Sequence, residues 1–527
     1  MHGTSIPTML QVPACRKARA DGRARRPAAR VWGVSRVLSI GVALCATTLT
    51  FAQSVVAPKA KQEAPPTYAA DIAPVVARSC TECHRAGGVA PFSLETADDL
   101  IRRARTIARV VEDETMPPWF AELPTGSPHR FANDTSLTDR EKQLLTSWLA
   151  SPDRPLGDAS TAPAPRGPAP EWRIGKPDLV VELPREVEVK ATGTMPYVNL
   201  RVETGFTEDR WVRAWEVAPT ARDVVHHVLV FAVPKGARGP ADESRGFFAA
   251  YVPGNGSKIY DSSRAKRLPA GHDLVFQLHY TPNGRATTDR TRLGLVFADA
   301  KPKHEVRTAG LFDPKLDIPP GAADHREGAA LTVPFDARLL AWIPHMHNRG
   351  KSFRAYREVP RAATESAAAD APAVREILLD VPRYDFDWQL SYEYADPVLI
   401  TRGTVLGIEA VFDNSTANPA NPDPAARVRW GQQTTDEMLI GYIEYELVDE
   451  SANGSGSAAG FGGAARGLRR DRAAQFAFLD DDGDGAIEKG EGGAIVARAF
   501  EAADADGDGR ITRAEFDAFV ARRRRED

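Results

Sequence analysis

Ala341-Trp342-Ile343-Pro344-His345-Met346-His347-Asn348-Arg349-Gly350 joins an apolar, strand-forming run to two histidines one residue apart. Residues two apart on a strand project from the same face, so His345 and His347 offer two imidazoles to one borderline metal such as copper or zinc. Two solvated histidines alternating on a β surface would give the same pattern. The pair is not isolated, however. Among 11 histidines, one follows a C-x-x-C, and five fall in three compact groups: Asp223-Val-Val-His226-His227-Val-Leu-Val-Phe231, Phe276-Gln277-Leu-His279-Tyr280, and the H-x-H itself.

Outward from this stretch, residues 172–450 read as short strands. Leu179-Val-Val-Glu-Leu, Val224 to Val233, Asp273 to Tyr280 and Leu293 to Ala298 recur between Gly, Pro, Asn and Asp clusters, the cadence of antiparallel sandwiches. About 280 residues is long for one sandwich, so two are expected, 172–307 and 308–450. Adjacent residues on a regular strand point to opposite faces. His226 and His227 can therefore share a metal only if a bulge re-aims one of them; otherwise one is a ligand and the other a core histidine.

The whole chain has 527 residues and a net charge of −4, enough for three or four domains. Residues 1–52 hold eight Arg/Lys against Asp21, a net of +7, which leaves −11 elsewhere. A body this acidic gives no reason to expect nucleic-acid binding. The basic start precedes the apolar run Val37 to Phe51 and then Ala52-Gln53, which reads as an export signal, 1–52. About 15 apolar residues are too few to span a bilayer comfortably, and no later run is apolar enough to do so. The expectation is an exported protein, periplasmic or at the cell surface, without a transmembrane anchor after cleavage.

Cys15 and Cys45 leave with that signal, so Cys80-Thr-Glu-Cys83-His84 holds the remaining cysteines. C-x-x-C-H in an exported chain reads as c-type haem attachment with His84 as proximal ligand. A redox disulfide or half a zinc site are the alternatives; His84 and the lack of a second C-x-x-C favour haem. Tyr68 to Ala77 reads as a helix into the motif. Met116-Pro117-Pro118-Trp119 supplies a thioether in a loop, with His129 or an open position as the other choices for the distal side. Thr138 and Glu141 form a capping box for the helix ending at Trp148-Leu149. Segment 60–152 resembles a small cytochrome c, and Pro/Ala-rich 153–171 reads as a semi-rigid spacer.

At the other end, 451–468 is a Gly/Ser/Ala linker, and 469–523 carries two acidic loops. Asp480, Asp482, Asp484 with Glu491, and Asp504, Asp506, Asp508 with Glu515, occupy positions 1, 3, 5 and 12 of the EF-hand loop. Gly485 and Gly509 stand at position 6, and Ile487 and Ile511 at position 8, where the two loops pair as short strands. An EF-hand pair binding two Ca²⁺ is expected, with one helix, Gly493 to Ala503, between the loops.

The order His226-His227, Gln277-x-His279-Tyr280, His345-x-His347 and Asp436-Glu437-Met438 resembles the copper type II, ascorbate-dependent monooxygenases, the family of the peptidylglycine α-hydroxylating and dopamine β-hydroxylating enzymes. The resemblance implies two jelly-roll sandwiches with one copper each, the first held by His226, His227 and His279 and the second by His345, His347 and Met438. It implies hydroxylation of a C–H bond with O₂ at the second copper and electron supply through the first. Two imidazoles with a soft thioether favour Cu(I), which agrees with that division. A methionine filling the core of a strand is the alternative for Met438.

The fold expected is thus multidomain: a small all-α cytochrome c domain, two antiparallel β jelly-roll sandwiches and a C-terminal α EF-hand pair. The cofactors expected are two copper ions, one c-type haem and two Ca²⁺. The partners are O₂, a small-molecule or lipid-like substrate, and an external reductant, either ascorbate-like or a redox protein. The peptidylglycine branch places an Arg two residues before H-x-H and an Asn two after the methionine. Ile343 and Ile440 stand there, and Tyr442 matches a family Tyr. Without that Arg there is no bidentate fork for a carboxylate, so peptide amidation is disfavoured; Arg349 reads as a surface residue. A non-catalytic haem and copper protein, relaying electrons or binding at a surface, is the other reading.

Overall fold

The computed structural model describes residues 65–237, 246–359, 374–450, 486–488 and 500–526. The export signal 1–52, the linker 451–468, most of the helix proposed for Gly493 to Ala503, and Asp480, Asp482, Asp484 and Glu491 of the first acidic loop lie outside these residues. The described chain is multidomain, mostly β sandwich with few helices. No helix among the described residues is long and apolar enough to cross a membrane.

Strands from 179 to 305 make two facing sheets. One runs in the order Leu179–Glu182, Arg292–Phe297, Arg210–Ala218, Arg264–Leu268, His304–Glu305; the other runs Val198–Val202, His272–Tyr280, Val225–Pro234, Ala249–Tyr251. Strands from 307 to 447 repeat the plan. Arg307–Phe312, Ile440–Leu447, Ala337–His345 and Tyr392–Ile400 form one sheet, and His325–Thr332, Val405–Phe412, Gly350–Val359 and Val374–Val381 the other. Each pair encloses its own apolar core, around Val228, Phe276 and Leu278 in the first and around Trp342, Phe353 and Ile443 in the second.

The two sandwiches meet through one sheet of each. Leu229, Phe231 and Val275 of the first pack on Met438, Ile440 and Tyr442 of the second. Even-numbered residues of these strands serve one face and odd-numbered residues the other, so both faces are buried, which explains why Val225–Pro234 and Ile440–Leu447 are apolar almost throughout. Beside the seam a buried ion pair crosses between the sandwiches, Lys266 Nζ to Glu444 Oε1 at 2.7 Å. The same carboxylate accepts from Tyr260 Oη at 3.0 Å, and Lys266 also donates to Phe248 O and Thr308 Oγ1. With three acceptors on Lys266 Nζ and two donors on Glu444 Oε1, the pair fixes how the sandwiches dock.

Ahead of the sandwiches lies a small helical module. A π-helical turn, Tyr68–Ile72, runs into Ala73–Ser79; Ala97–Arg102, Ala104–Glu112 and Asp139–Ala150 follow, packed on Ile72, Val76, Leu100 and Trp148. The Thr138–Glu141 capping box is present in both directions. Segment 113–133 leaves the module as an arm along the second sandwich: Glu122 N donates to Asp380 O, Ala132 N to Glu393 O, and the ring of Trp119 meets Tyr392 edge-on at 5.1 Å. Pro/Ala-rich 153–171, expected as a semi-rigid spacer, is tied along its length to the helical module. Arg166 Nε donates to Thr81 Oγ1, Gly167 N to Glu95 Oε1 and Ala169 N to Ala86 O, so side-chain and turn partners hold a segment whose prolines bar it from a sheet.

Candidate metal centre

His226 and His227 sit at a register break. Val225 pairs with Tyr280 and His227 with His279, leaving His226 as the extra residue. This is the bulge that a vicinal pair requires if both rings are to face one way. The bulge turns His226 onto the face of His227 and His279, and one ligand atom from each of the three lies within 4.8 Å of the others. His226 Nδ1 and His227 Nδ1 face each other at 3.2 Å. Two nitrogens about 2.0–2.1 Å from a tetrahedral metal lie roughly 3.3 Å apart, so this spacing suits a shared ion. His279 Nδ1 is buried with no hydrogen-bond partner, an orphan acceptor of the kind a metal satisfies.

On the second sandwich, His345 ends the strand Ala337–His345 and His347 follows in the turn, their ring centroids 5.2 Å apart. Gln389 Nε2 donates to Phe386 O, which directs its Oε1 at His345 Nδ1 at 2.7 Å. Nδ1 therefore carries the proton and Nε2 the lone pair. His347 repeats this, with Nδ1 3.3 Å from Asp436 O and a buried, unpartnered Nε2. The first group thus offers Nδ1 atoms and the second Nε2 atoms.

His345 pairs with Ile440 at the end of an antiparallel ladder, and His347 and Met438 lie just beyond the two strand ends. The carboxylate of Glu437 locks this end, accepting from His347 N at 2.7 Å, Arg349 N at 2.7 Å and Met438 N at 3.0 Å. Met438 is 1% exposed, in the seam between the sandwiches rather than inside either core. Arg349 is not at the surface: it is 1% exposed, with Nε on Asn414 Oδ1 and Nη1 on Thr435 O, bracing the turn that follows H-x-H.

The two groups are neighbours, with the rings of His227 and His345 6.1 Å apart. Burial, then the other imidazoles, hold His227 and His347 well below the usual histidine range, and burial brings His279 to about 3 and His345 to about 4. All four are neutral at neutral pH, the form that ligates. A mainly apolar chamber of about 50 Å³ opens between His227 and His345, walled by Leu229, Phe247, Ile343 and Tyr442. A larger cleft of about 680 Å³ reaches His279 and Phe386 from solvent.

Three residues at this centre carry no sequence signature. Phe386 stacks on His226 at 4.4 Å and 23°, Asp387 Oδ1 lies 3.5 Å from His226 Nε2, and Gln389 holds His345. They sit in one loop without periodicity, 40 residues beyond H-x-H; only their position in space reveals them.

At the C-x-x-C-H motif, Cys80 and Cys83 are free, half-buried thiols, and burial pushes Cys80 up to about 12. His84 Nδ1 is 3.1 Å from Phe92 O, so it donates there and Nε2 keeps its lone pair, the form an axial haem ligand needs. Met116 follows the helix Ala104–Glu112, its N–H on Val110 O. His129 is turned away to Glu376, with Nε2 2.7 Å from Oε1, which leaves it poorly placed as a distal ligand.

In the second acidic loop, ligand atoms of Asp504, Asp506 and Asp508 lie within 4.8 Å of one another. Glu515 Oε1 accepts from Ala505 N at 2.9 Å, and Ile487 pairs with Ile511 in a short antiparallel ladder. The EF-hand family model matches residues 472–491 and 495–520. This part of the chain is an EF-hand region. No curated protein matches the sequence. Among solved structures, the major capsid protein P2 from bacteriophage PM2 is 10% identical, with 52% of this chain and 98% of that one covered at a TM-score of 0.24. The infectious bursal disease virus VP2 subviral particle is 9% identical, covering 53% and 74% at 0.16. Scores this low carry no argument about the present chain.

Proposed function

We propose that the chain is an exported copper-dependent monooxygenase that hydroxylates a C–H bond with O₂. The observation that carries this reading is the convergence of five buried imidazoles from both sandwiches, with His279 Nδ1 and His347 Nε2 left without partners, and with Met438 in the seam between the sandwiches. His226, His227 and His279 would hold one copper; His345, His347 and Met438 would hold the other. Copper bound there supplies one-electron redox chemistry and reacts with O₂. The balance requires two electrons and two protons for each hydroxylated product and water, drawn from an ascorbate-like or protein reductant.

The residues around the centre serve that chemistry. Gln389 and the Asp436 carbonyl keep His345 and His347 with Nε2 unprotonated, and Glu437 ties the backbone of His347 to that of Met438. The small, mainly apolar chamber beside His227 and His345 has a volume that suits a diatomic gas. Ile343 stands in its wall where a carboxylate-binding Arg would be needed for peptide substrates, which favours a small apolar or lipid-like substrate entering from the larger cleft. On the helical module, Cys80, Cys83 and His84 have the state required to hold a c-type haem, with Met116 as its distal ligand, in a cytochrome c-like domain. The arm 113–133 keeps that module on the second sandwich, so the haem would be a built-in electron donor. The sandwiches themselves would be the two jelly rolls of the family resemblance, and two Ca²⁺ would sit in the EF-hand pair.

Ascorbate-driven O₂ uptake by copper-loaded protein, coupled to a hydroxylated product, tests the reading. His345→Ala and Met438→Ala are expected to abolish it while leaving the haem spectrum intact. Copper binding with no product from any apolar substrate would leave an electron-transfer or binding protein. Zinc occupancy with no Cu(II) EPR signal after copper loading would remove copper from either site.

A further inference from the structure

One loop of the second sandwich touches a histidine in each group. His226 belongs to the first sandwich, yet its ring is stacked by Phe386 and its buried Nε2 has no partner nearer than Asp387 Oδ1 at 3.5 Å. With Nδ1 of His226, the atom that faces His227, serving the proposed copper, Nε2 would carry the proton. Histidines that ligate through one nitrogen regularly donate the other N–H to a carboxylate or carbonyl, which fixes the tautomer and raises the basicity of the ring. Two residues on, Gln389 does the equivalent for His345 from the opposite side, accepting from Nδ1 at 2.7 Å. Gln389 Nε2 is itself tied to Phe386 O, so the two contacts share one piece of backbone.

We propose that Asp387 and Gln389 are positioning residues for the two metal groups. The loop that carries them spans the seam and sets the ligand tautomer of His226 on one sandwich and of His345 on the other. This rests on the copper sites proposed above and adds what tunes them. An anionic acceptor on His226 makes it a stronger donor and stabilises Cu(II) over Cu(I) at the first site. A neutral amide on His345 leaves the second site more reducible. The same chain then carries one copper biased toward the oxidised state and one toward the reduced state, beyond what their ligand sets provide.

The test is copper titration against a competing chelator, with the reduction potential of each site followed by Cu(II) EPR. Asp387→Asn is expected to weaken the first site about 10–100-fold, the usual cost of losing an outer hydrogen-bonding partner, and to raise its potential, with the second site unchanged. Gln389→Leu is expected to weaken only the second. Asp387→Glu should recover the first. Equal copper affinity and potential in wild type and Asp387→Asn would overturn the inference while leaving the copper reading intact. Uniform loss at both sites with a lowered melting temperature would also overturn it, since that marks a structural loop. If the unaltered protein takes up no copper at either group, the functional reading fails with it.

Discussion

The histidine centre and the EF-hand loop are both built to receive cations, and they prepare for them in opposite ways. The donors of the first are buried, neutral nitrogens: His227, His279, His345 and His347 are 6% exposed or less, held uncharged by burial. The donors of the second are carboxylates, half-buried at Asp504 and exposed at Asp506 and Asp508, already engaged with their own loop, Asp504 on Gly507 N and Gly509 N, Asp508 on Arg510 N. Gly509, with φ at 86°, makes the sharp turn that only glycine makes without strain. A neutral ligand attracts no cation at a distance, so its geometry must be supplied beforehand by the fold. A ring of carboxylates repels itself and is drawn together by the ion. The centre should therefore survive metal removal as a shape, whereas the EF-hand loop should not.

The largest break in that contrast comes from the ligands themselves. His347→Ala removes a first contact, so its cost to copper binding at the second site should exceed the about 10–100-fold of an outer partner. Competitive copper titration measures it, and near-ultraviolet dichroism of the metal-free protein should stay unchanged. The scaffold is next. Lys266→Met leaves the buried Glu444 charge without its ion-pair partner, and truncating one partner of a buried pair costs about 3–5 kcal/mol; the denaturant midpoint reads it. Adding Glu444→Leu should recover most of that loss, because an apolar pair fills the same space without desolvated charge.

Glu515→Gln tests the other side. Removing the bidentate carboxylate should weaken Ca²⁺ at loop 504–515 by about tenfold or more, equivalent to roughly 1.4 kcal/mol or above, seen by calcium titration. Cu(II) EPR should be unaltered. A change in the copper signal would show that the two regions are coupled and that the contrast drawn between them is false.

Much of this was legible along the chain because it rests on local periodicity. The strand cadence of 172–450, the same-face geometry of His345 and His347, the need for a bulge at His226-His227, and the spacing of the acidic loops all follow from short-range rules. What was not legible is set by tertiary contact. Arg349 reads as a surface residue until Asn414 and Thr435 are seen to enclose it. Phe386, Asp387 and Gln389 occupy a loop with no repeating pattern. Segment 153–171 has the composition of a spacer, yet Arg166 and Gly167 anchor it to the helical module through partners 72 to 89 residues away.

The smallest expected effect concerns how far the β body supports the module that leads into it. Thr138 caps Asp139–Ala150, accepting from Glu141 N and receiving the Glu141 carboxylate on its own N–H, and Thr138→Ala should cost about 1 kcal/mol. That helix seats Trp148, fully buried, and sends Lys142 to Glu114 at the root of the arm. From there Arg383 of the second sandwich donates to Asp113 O and Glu114 O. If the arm makes the two units one cooperative block, the loss should lower a single melting transition seen equally by helical and sheet signals. If the arm is a tether, the helical signal alone should shift. The sheet-like pairing of Glu122 with Asp380 and Phe131 with Tyr394, with two aromatic rings on Tyr392, favours the single transition. Differential scanning calorimetry distinguishes the two by the number of peaks.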